Sequence, residues 1–340
     1  MSIEFTVFKG SASNGIVQAT SRRALLTGTQ VLVKITHSGI CGTDEHYKHA
    51  DMALGHEGVG TVEQLGERVK GLKVGTSSDG VTHTSRAATA LIAWHDNFCT
   101  TAEMYGTANL DQGSFSSHAI WDASWLFKIP AGLSPEAAAP LMCGGATVFS
   151  VIDTYNIRPT DRVGVVGIGG LGHLAIQFLA KMGVRVVVFS STEAKRAEAL
   201  QLGAAEFYAT AGAAVLDIGA PLDHLLVTTS FLPDWNIFLN VMNSMGHIYP
   251  LTVSGADLVI PAMPVVTRGL TIQGSSVASR AGQIKMLDFA ALHGVNPIIE
   301  RFPMSKEGIE EGMEKLREGG IRPGNQGSGS GLKNLKPEPA

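Results

Sequence analysis

The run Val163-Gly164-Val165-Val166 leads directly into Gly167-Ile168-Gly169-Gly170-Leu171-Gly172, after which apolar residues recur at helical spacing to Met182. An apolar strand that turns on glycines straight into a helix is compatible with few folds. The glycines permit a tight turn, a close backbone approach to a ligand, and packing of the helix on the strand. The helix N-terminus meanwhile offers amide hydrogens and a positive dipole to an anion, so a pyrophosphate is the expected guest. From Asp161 to about Ser279 the pattern keeps alternating: a strand is predicted over 163–166, a helix over 171–182, a strand over 184–189 and a helix over 193–202. Such alternation predicts an α/β unit with a doubly wound parallel sheet.

The chain before residue 153 reads differently. Short strand-like runs broken by glycine, such as Val31-Leu32-Val33-Lys34-Ile35 and Gly58-Val59-Gly60-Thr61-Val62, suit a small β-rich barrel. A helix is expected to open at Ser134 as N-cap, with Pro135 in the first helical position and Glu136 favourable to the dipole, carrying the chain towards Cys143. Beyond the alternating region, a helix near 284–292, a strand near 297–302 and a helix opened by Ser305 follow.

With 340 residues and 44% hydrophobic content the chain can build two cores, and a net charge of −4 gives no basic footprint for nucleic acid or a membrane surface. No signal-peptide pattern stands at Met1-Ser2-Ile3-Glu4-Phe5, and no apolar run approaches a bilayer span. Three cysteines point to a reducing compartment, the cytoplasm, rather than a disulfide framework.

The strand expected over 184–189 ends in Ser190-Ser191-Thr192, with Lys195 and Arg196 one turn into the next helix. A dinucleotide lacking the 2′-phosphate is usually met here by an Asp or Glu, which binds the ribose 2′-hydroxyl. None stands at this strand end. Hydroxyls and a nearby lysine suit a 2′-phosphate, so NADP is expected over NAD, with Glu193 as a solvated first-turn residue.

Cys41, His56 and Cys143 offer two thiolates and an imidazole, the donor types a catalytic zinc takes while keeping one position open. Singly, each has a bland reading as a small core residue or a satisfied imidazole. Together with Gly55, Glu57, Gly60, Gly66 and Val69, which fill the zinc signature in order, they carry a resemblance to the zinc-dependent medium-chain alcohol dehydrogenases. The similarity is strongest to the cinnamyl-alcohol-dehydrogenase-like branch and runs from about residue 5 to about residue 320.

That resemblance implies a GroES-like catalytic domain over 1–152, completed by 286–322, and a Rossmann NADP-binding domain over 153–285. It implies one catalytic zinc on Cys41, His56 and Cys143, with Glu57 as the carboxylate behind the metal and Asp44 orienting His56. Thr43 and His46 resemble a proton relay. Gly167, Gly169, Gly170, Leu171 and Gly172 would hold the pyrophosphate, Ser190, Ser191, Thr192 and Lys195 the 2′-phosphate, and Thr147, Ser275 and Val277 the nicotinamide. The implied reaction is hydride transfer between NADP(H) and a small alcohol/aldehyde pair, by a homodimer formed through the nucleotide-binding sheet. Between Cys41 and His56 the chain is shorter than the family's usual segment. Tyr47, Trp94 and Trp121 are candidate pocket aromatics with an equal reading as packing.

Two segments depart from the family. Between Thr76 and Cys99, where the family carries four cysteines around a structural zinc, only Cys99 remains. Ala87, Ala90 and Ala93 occupy the Cys-x-x-Cys-x-x-Cys places, a pattern that a one-nucleotide frame slip produces from cysteine codons. The alternative is a native lobe without zinc. In either case structural zinc is expected to be absent and the segment irregular. After Glu318 a Gly/Ser-rich stretch replaces the family's closing strand, so residues 323–340 are expected to be disordered. Two readings therefore stand: a working NADP-dependent zinc alcohol dehydrogenase, or a damaged relative that only binds nucleotide. A zinc-independent enoyl reductase would lack the ligand set.

Overall fold

The computed structural model describes residues 2–12, 15–75, 77–81, 83–84, 96–318 and 332–336. In chain order the first strands are β1 (Ser2–Lys9), β2 (Val17–Ala24) and β3 (Gln30–Ile40), followed by a short helix α1 (Gly42–His46). Then come β4 (Glu57–Leu65), β5 (Ser77–Val81), β6 (His83–Thr84), β7 (Glu103–Met104), β8 (His118–Asp122), β9 (Leu126–Lys128) and α2 (Pro135–Pro140). The alternating region holds α3 (Ala146–Thr154), β10 (Arg162–Val166), α4 (Gly170–Lys181), β11 (Arg185–Ser190), α5 (Arg196–Leu202), β12 (Glu206–Ala209) and β13 (Leu222–Val227). It continues through α6 (Trp235–Leu239), β14 (Met242–Pro250), α7 (Ala262–Arg268) and β15 (Thr271–Ile272). The chain closes with α8 (Arg280–His293), β16 (Ile299–Pro303), α9 (Lys306–Glu318) and β17 (Leu332–Lys336).

Two compact units result, Met1–Ala146 with Ala278–Ala340, and Thr147–Val277. The boundaries differ from those expected at 152/153 and 285/286. The reason on the C-terminal side is α8: Gln283 Nε2 lies 3.5 Å from Met142 Sδ, and Arg280 binds the buried Asp96 through its backbone N–H (3.0 Å) and Nε (2.5 Å). The whole helix thus belongs to the first unit.

In that unit β3 and β4 pair antiparallel, and β3 also pairs antiparallel with β8 and with β17. The strand β17 is a correction: a disordered tail and a missing closing strand were expected, yet Leu332–Lys336 pairs parallel with β16 and antiparallel with β3. The Gly/Ser stretch before it lies outside the described residues. A second correction concerns the departing lobe, because Ser77–Val81 forms regular antiparallel pairs with β4 and β9 rather than an irregular excursion. Ala87, Ala90, Ala93 and Trp94 lie outside the described residues. Apolar side chains of β1, β3 and the last helix meet in a core that includes Phe8, Ile40, Phe302, Ile309 and Met313, which places α9 in this unit as the sequence suggested.

In the second unit all six strands run parallel in the order β12-β11-β10-β13-β14-β15. This is the order of a Rossmann sheet, with the switch point beside β10. Its strands are buried on both faces, which is why 163–166 and 186–189 read as continuous Val-rich runs rather than alternating ones.

The helix α2 opens as expected, with Ser134 Oγ accepting from Ala137 N–H at 3.1 Å and Pro135 in the first turn. Together with α3 it forms a continuous helical run, Pro135–Thr154, long and apolar enough to span a membrane by length and composition. The sequence reading found no such run. Because 78% of its most apolar stretch is buried inside the protein, it is a core helix.

Candidate active site

The antiparallel pairing of β3 and β4 builds the centre. His37 faces Val59 and Ser38 faces Gly58, so the end of β3 lies beside the start of β4, and Cys41 and His56 follow from those two ends. Gly55 sits at φ 90°, and a Cβ there would stand 2.3 Å from the Phe115 nitrogen, so only glycine makes the turn that presents His56. The third candidate ligand follows α2, which packs against both β3 and β4. At its end the backbone widens into a π-helical turn, Leu141–Gly145, that carries Cys143. Such turns gather at functional sites.

One ligand atom from each of Cys41, His56, Glu57 and Cys143 lies within 4.8 Å of all the others, the one such group among the described residues. His56 and Glu57 are buried. The Nδ1 of His56 is 2.8 Å from Asp44 Oδ1, while its buried Nε2 has no hydrogen-bond partner and lies 3.9 Å from Glu57 Oε1. Glu57 Oε2 is likewise buried and without a partner. An Nδ1–H held by Asp44 and an Nε2 without a hydrogen-bond partner, among two thiols and a carboxylate, fit a zinc ion, which would take the Nε2 lone pair as its proton leaves. Glu57 itself requires Gly39 in the neighbouring strand, where a Cβ would lie 1.7 Å from Glu57 Oε2.

The electrostatics favour cation binding. The hydrogen bond with Cys143 holds the Cys41 thiol well below its ordinary range despite burial, and the same bond together with burial pushes Cys143 well above it. Burial opposes a charge on His56, but the Asp44 carboxylate outweighs it and keeps the imidazole protonated to unusually high pH. Burial, reinforced by Cys41, raises Glu57. The cluster therefore stores protons that a metal would displace.

Asp44 is fully buried, and both of its oxygens are engaged. Oδ2 accepts from Cys41 N–H at 3.0 Å, and Oδ1 accepts from Gly55 N–H at 3.1 Å and from the Tyr105 hydroxyl at 2.9 Å. Its expected place beside His56 is the observed one. Tyr105 was not legible in the sequence: it stands far along the chain from Asp44 and belongs to no motif. Thr43 is half-buried on α1 with Oγ1 3.9 Å from Cys41 Sγ, and His46 ends α1 exposed. Of the candidate pocket aromatics, Tyr47 stands edge-on to Tyr105, and Trp121 packs on the barrel core of Val31, Val33 and Val62 while also lining a small surface pocket with Tyr105 and Gln112.

In the second unit the glycine turn is built as the sequence implied. Gly167 has φ 94°, Gly169 caps α4, and Gly170, Leu171 and Gly172 form its first turn. Ser190 ends β11 buried, Ser191 and Thr192 follow exposed, and Lys195 Nζ donates to Ile168 O in the glycine turn at 2.9 Å. Burial lowers the Lys195 pKa from its ordinary value. Glu193 is bound by Arg196 at 2.7 and 2.8 Å, which neutralises the nearest carboxylate. Thr147 lies in α3. Ser275 and Val277 lie at the end of this unit, where Val277 holds φ 46°. For a β-branched residue that is a strained conformation, costing on the order of 1–3 kcal/mol, and such strain clusters at ligand clamps.

Comparison with known proteins agrees with this geometry. The alcohol dehydrogenase GroES-like domain matches residues 27–131, and the zinc-binding dehydrogenase domain matches residues 170–291. The chain is 32% identical to the aldehyde reductase AdhA of Synechocystis sp. over 86% of its length and 89% of that protein's. The chain belongs to the zinc-dependent medium-chain alcohol dehydrogenases, in the cinnamyl-alcohol-dehydrogenase-like branch. A second relative of this dehydrogenase, NADP-dependent alcohol dehydrogenase C 1 of Mycolicibacterium smegmatis, is 30% identical over 92% of the chain and 94% of its own length. Among solved structures, a cinnamyl alcohol dehydrogenase of Sorghum bicolor superposes with a TM-score of 0.88 at 28% identity, covering 98% of each chain. The dehydrogenase thus has the GroES-like and Rossmann-type domains of its family.

Proposed function

We propose that this dehydrogenase is an NADP(H)-dependent aldehyde reductase with a single zinc on Cys41, His56 and Cys143. The observation that carries the reading is the buried, unpartnered Nε2 of His56 among two thiols and Glu57, its ring fixed from behind by Asp44. When bound, zinc supplies a Lewis acid that polarises a carbonyl and lowers an alcohol's pKa, and the nicotinamide supplies or accepts the hydride. The chain's own residues do the rest. Asp44 fixes the His56 tautomer, and Glu57 waits behind the ligands as an alternative carboxylate donor. In aldehyde reduction Thr43, half-buried two positions from Cys41, gives its hydroxyl proton to the alkoxide oxygen left by hydride addition and is reprotonated by way of His46 at the exposed end of α1; alcohol oxidation runs the same relay in reverse. Thr147, Ser275 and Val277 line the nicotinamide, with the strained backbone at Val277 as a fixed wall. Aromatic and allylic aldehydes are the proposed substrates, in keeping with the names of the relatives, and a panel that also includes short alcohols and polyols tests this. Uniform turnover of short alcohols with none on aromatic aldehydes would reject it.

Cofactor choice rests on the end of β11, where Ser190, Ser191 and Thr192 meet no carboxylate free of its own cation. Lys195 is held beside the glycine turn by Ile168 O. A charge-assisted contact with phosphate contributes roughly 1.5–3 kcal/mol, so Lys195→Ala should weaken NADPH about ten- to a hundredfold and leave NADH nearly unchanged. Fluorescence titration with both cofactors reads this directly. Equal losses would show that the lysine only supports the turn.

The second unit also carries an apolar surface around α7, where Val253 is 66%, Val259 77%, Met263 67% and Val266 73% exposed, next to the edge strand β15. A patch of this kind with an open sheet edge favours a homodimer through the nucleotide-binding sheet. Light scattering on the purified protein should give twice the chain mass of 35.8 kDa. A monomer at micromolar concentration would contradict it.

A further inference from the structure

We propose that Tyr105 is a positioning residue of the metal centre, extending the His56–Asp44 pair into a three-membered chain of tyrosine, aspartate and histidine. The inference rests on the reading of Cys41, His56 and Cys143 as metal ligands and goes beyond it, because Tyr105 is no ligand.

The geometry is specific. The Tyr105 hydroxyl donates to Asp44 Oδ1 at 2.9 Å and accepts from Gly55 N–H at 3.0 Å, so it is tied both to the carboxylate that holds the ligand ring and to the backbone just before that ring. Its own ring lies over His56, centroids 4.9 Å apart with planes 36° apart. The imidazole is thus fixed at Nδ1 by hydrogen bonding and on one face by contact. Tyr105 is fixed in turn. Tyr47 meets it edge-on at 5.5 Å and 87°. The next residue, Gly106, turns at φ 85°, and a Cβ there would stand 2.2 Å from Tyr47 Cζ, so the backbone after Tyr105 can pass only as glycine. A neutral hydroxyl serves this place better than a cation. It donates to Asp44 without neutralising it, and leaves the carboxylate's charge to polarise the His56 Nδ1–H and raise the basicity of Nε2.

Outer partners of metal ligands typically contribute 10- to 100-fold to metal affinity. Tyr105→Phe keeps the ring and removes only the hydroxyl. It should weaken zinc binding, measured by competition with a chromophoric chelator, by about tenfold or more, and shift the ligand-field bands of the Co(II)-substituted protein. The metal-free variant should melt within about 4 °C of metal-free wild type. A double-mutant cycle with Asp44→Asn separates positioning from bulk stability. If the hydroxyl acts through Asp44, Tyr105→Phe costs little further affinity in the Asp44→Asn background. An unchanged zinc affinity and cobalt spectrum in Tyr105→Phe, or full additivity with Asp44→Asn, would overturn the proposal. A wild-type protein that takes up no zinc would instead refute the metal centre itself.

Discussion

Gly172→Ala is expected to weaken dinucleotide binding by up to about 100-fold while leaving the catalytic unit folded. A Cβ at this position would lie 2.0 Å from Gly167 O and 2.8 Å from Thr228 Oγ1, closer than non-bonded atoms approach. Neither neighbour can yield cheaply. Gly167 N–H donates to Phe189 O at 2.8 Å, and Thr228 Oγ1 is bound to Val166 O at 2.8 Å, so the clash falls on two parallel strands of the sheet. The start of α4 must therefore retreat, and it is this helix end that presents amide hydrogens to the pyrophosphate. Overpacking of this kind costs about 1–3 kcal/mol, and its upper end corresponds to a loss of roughly 100-fold in NADPH affinity. Gly169→Ala is the informative companion, because a Cβ at Gly169 meets nothing within 4 Å and its φ of −102° suits any residue. That variant should fold like wild type. Unaltered NADPH binding by Gly172→Ala would show that the turn does not form the phosphate site.

Cys143→Ser should cost the protein both its metal and its turnover. Serine is nearly isosteric with cysteine but a poor zinc donor, and the π-helical turn that carries it has no second thiol to offer. Lewis-acid catalysis contributes several kcal/mol of transition-state stabilisation, and about 4 kcal/mol corresponds to a 10³-fold loss in kcat. NADPH affinity should be unchanged, since the glycine turn belongs to the other unit. Metal-free Cys143→Ser that still reduced aldehydes at the wild-type rate would exclude the assigned centre.

The parts of this protein that local chemistry dictates were legible in its sequence. Glycines at 167, 169, 170 and 172 demand a strand-turn-helix, Ser134 and Pro135 announce α2, and Cys41, His56 and Cys143 combine donor types that few sites other than a metal site bring together. Asp44 was legible only through the family resemblance, and the structure places it on His56 Nδ1. What was missed depends on long-range contact. Tyr105 reaches Asp44 through a fold that brings distant segments together, and nothing in its neighbours marks it. The strand β17 has no apolar alternation of its own and is defined by its pairing with β3 and β16. Trp121 reads equally as pocket or core in the sequence, and the fold uses it for both, packed on the barrel and lining a small pocket. The whole of α8 joins the first compact unit through the Arg280–Asp96 pair and Gln283, contacts that sequence periodicity does not encode.

In the proposed reaction Cys41, His56 and Cys143 hold one zinc with which this dehydrogenase reduces aldehydes by NADPH. Its most direct test is elemental analysis of the purified wild-type protein coupled to an NADPH oxidation assay, before and after chelation. One zinc per chain is expected, with loss of aldehyde-dependent NADPH oxidation when the metal is stripped and recovery when zinc is returned. A folded protein that binds NADPH but holds no zinc and turns over no aldehyde, or one whose activity survives complete removal of the metal, would contradict it.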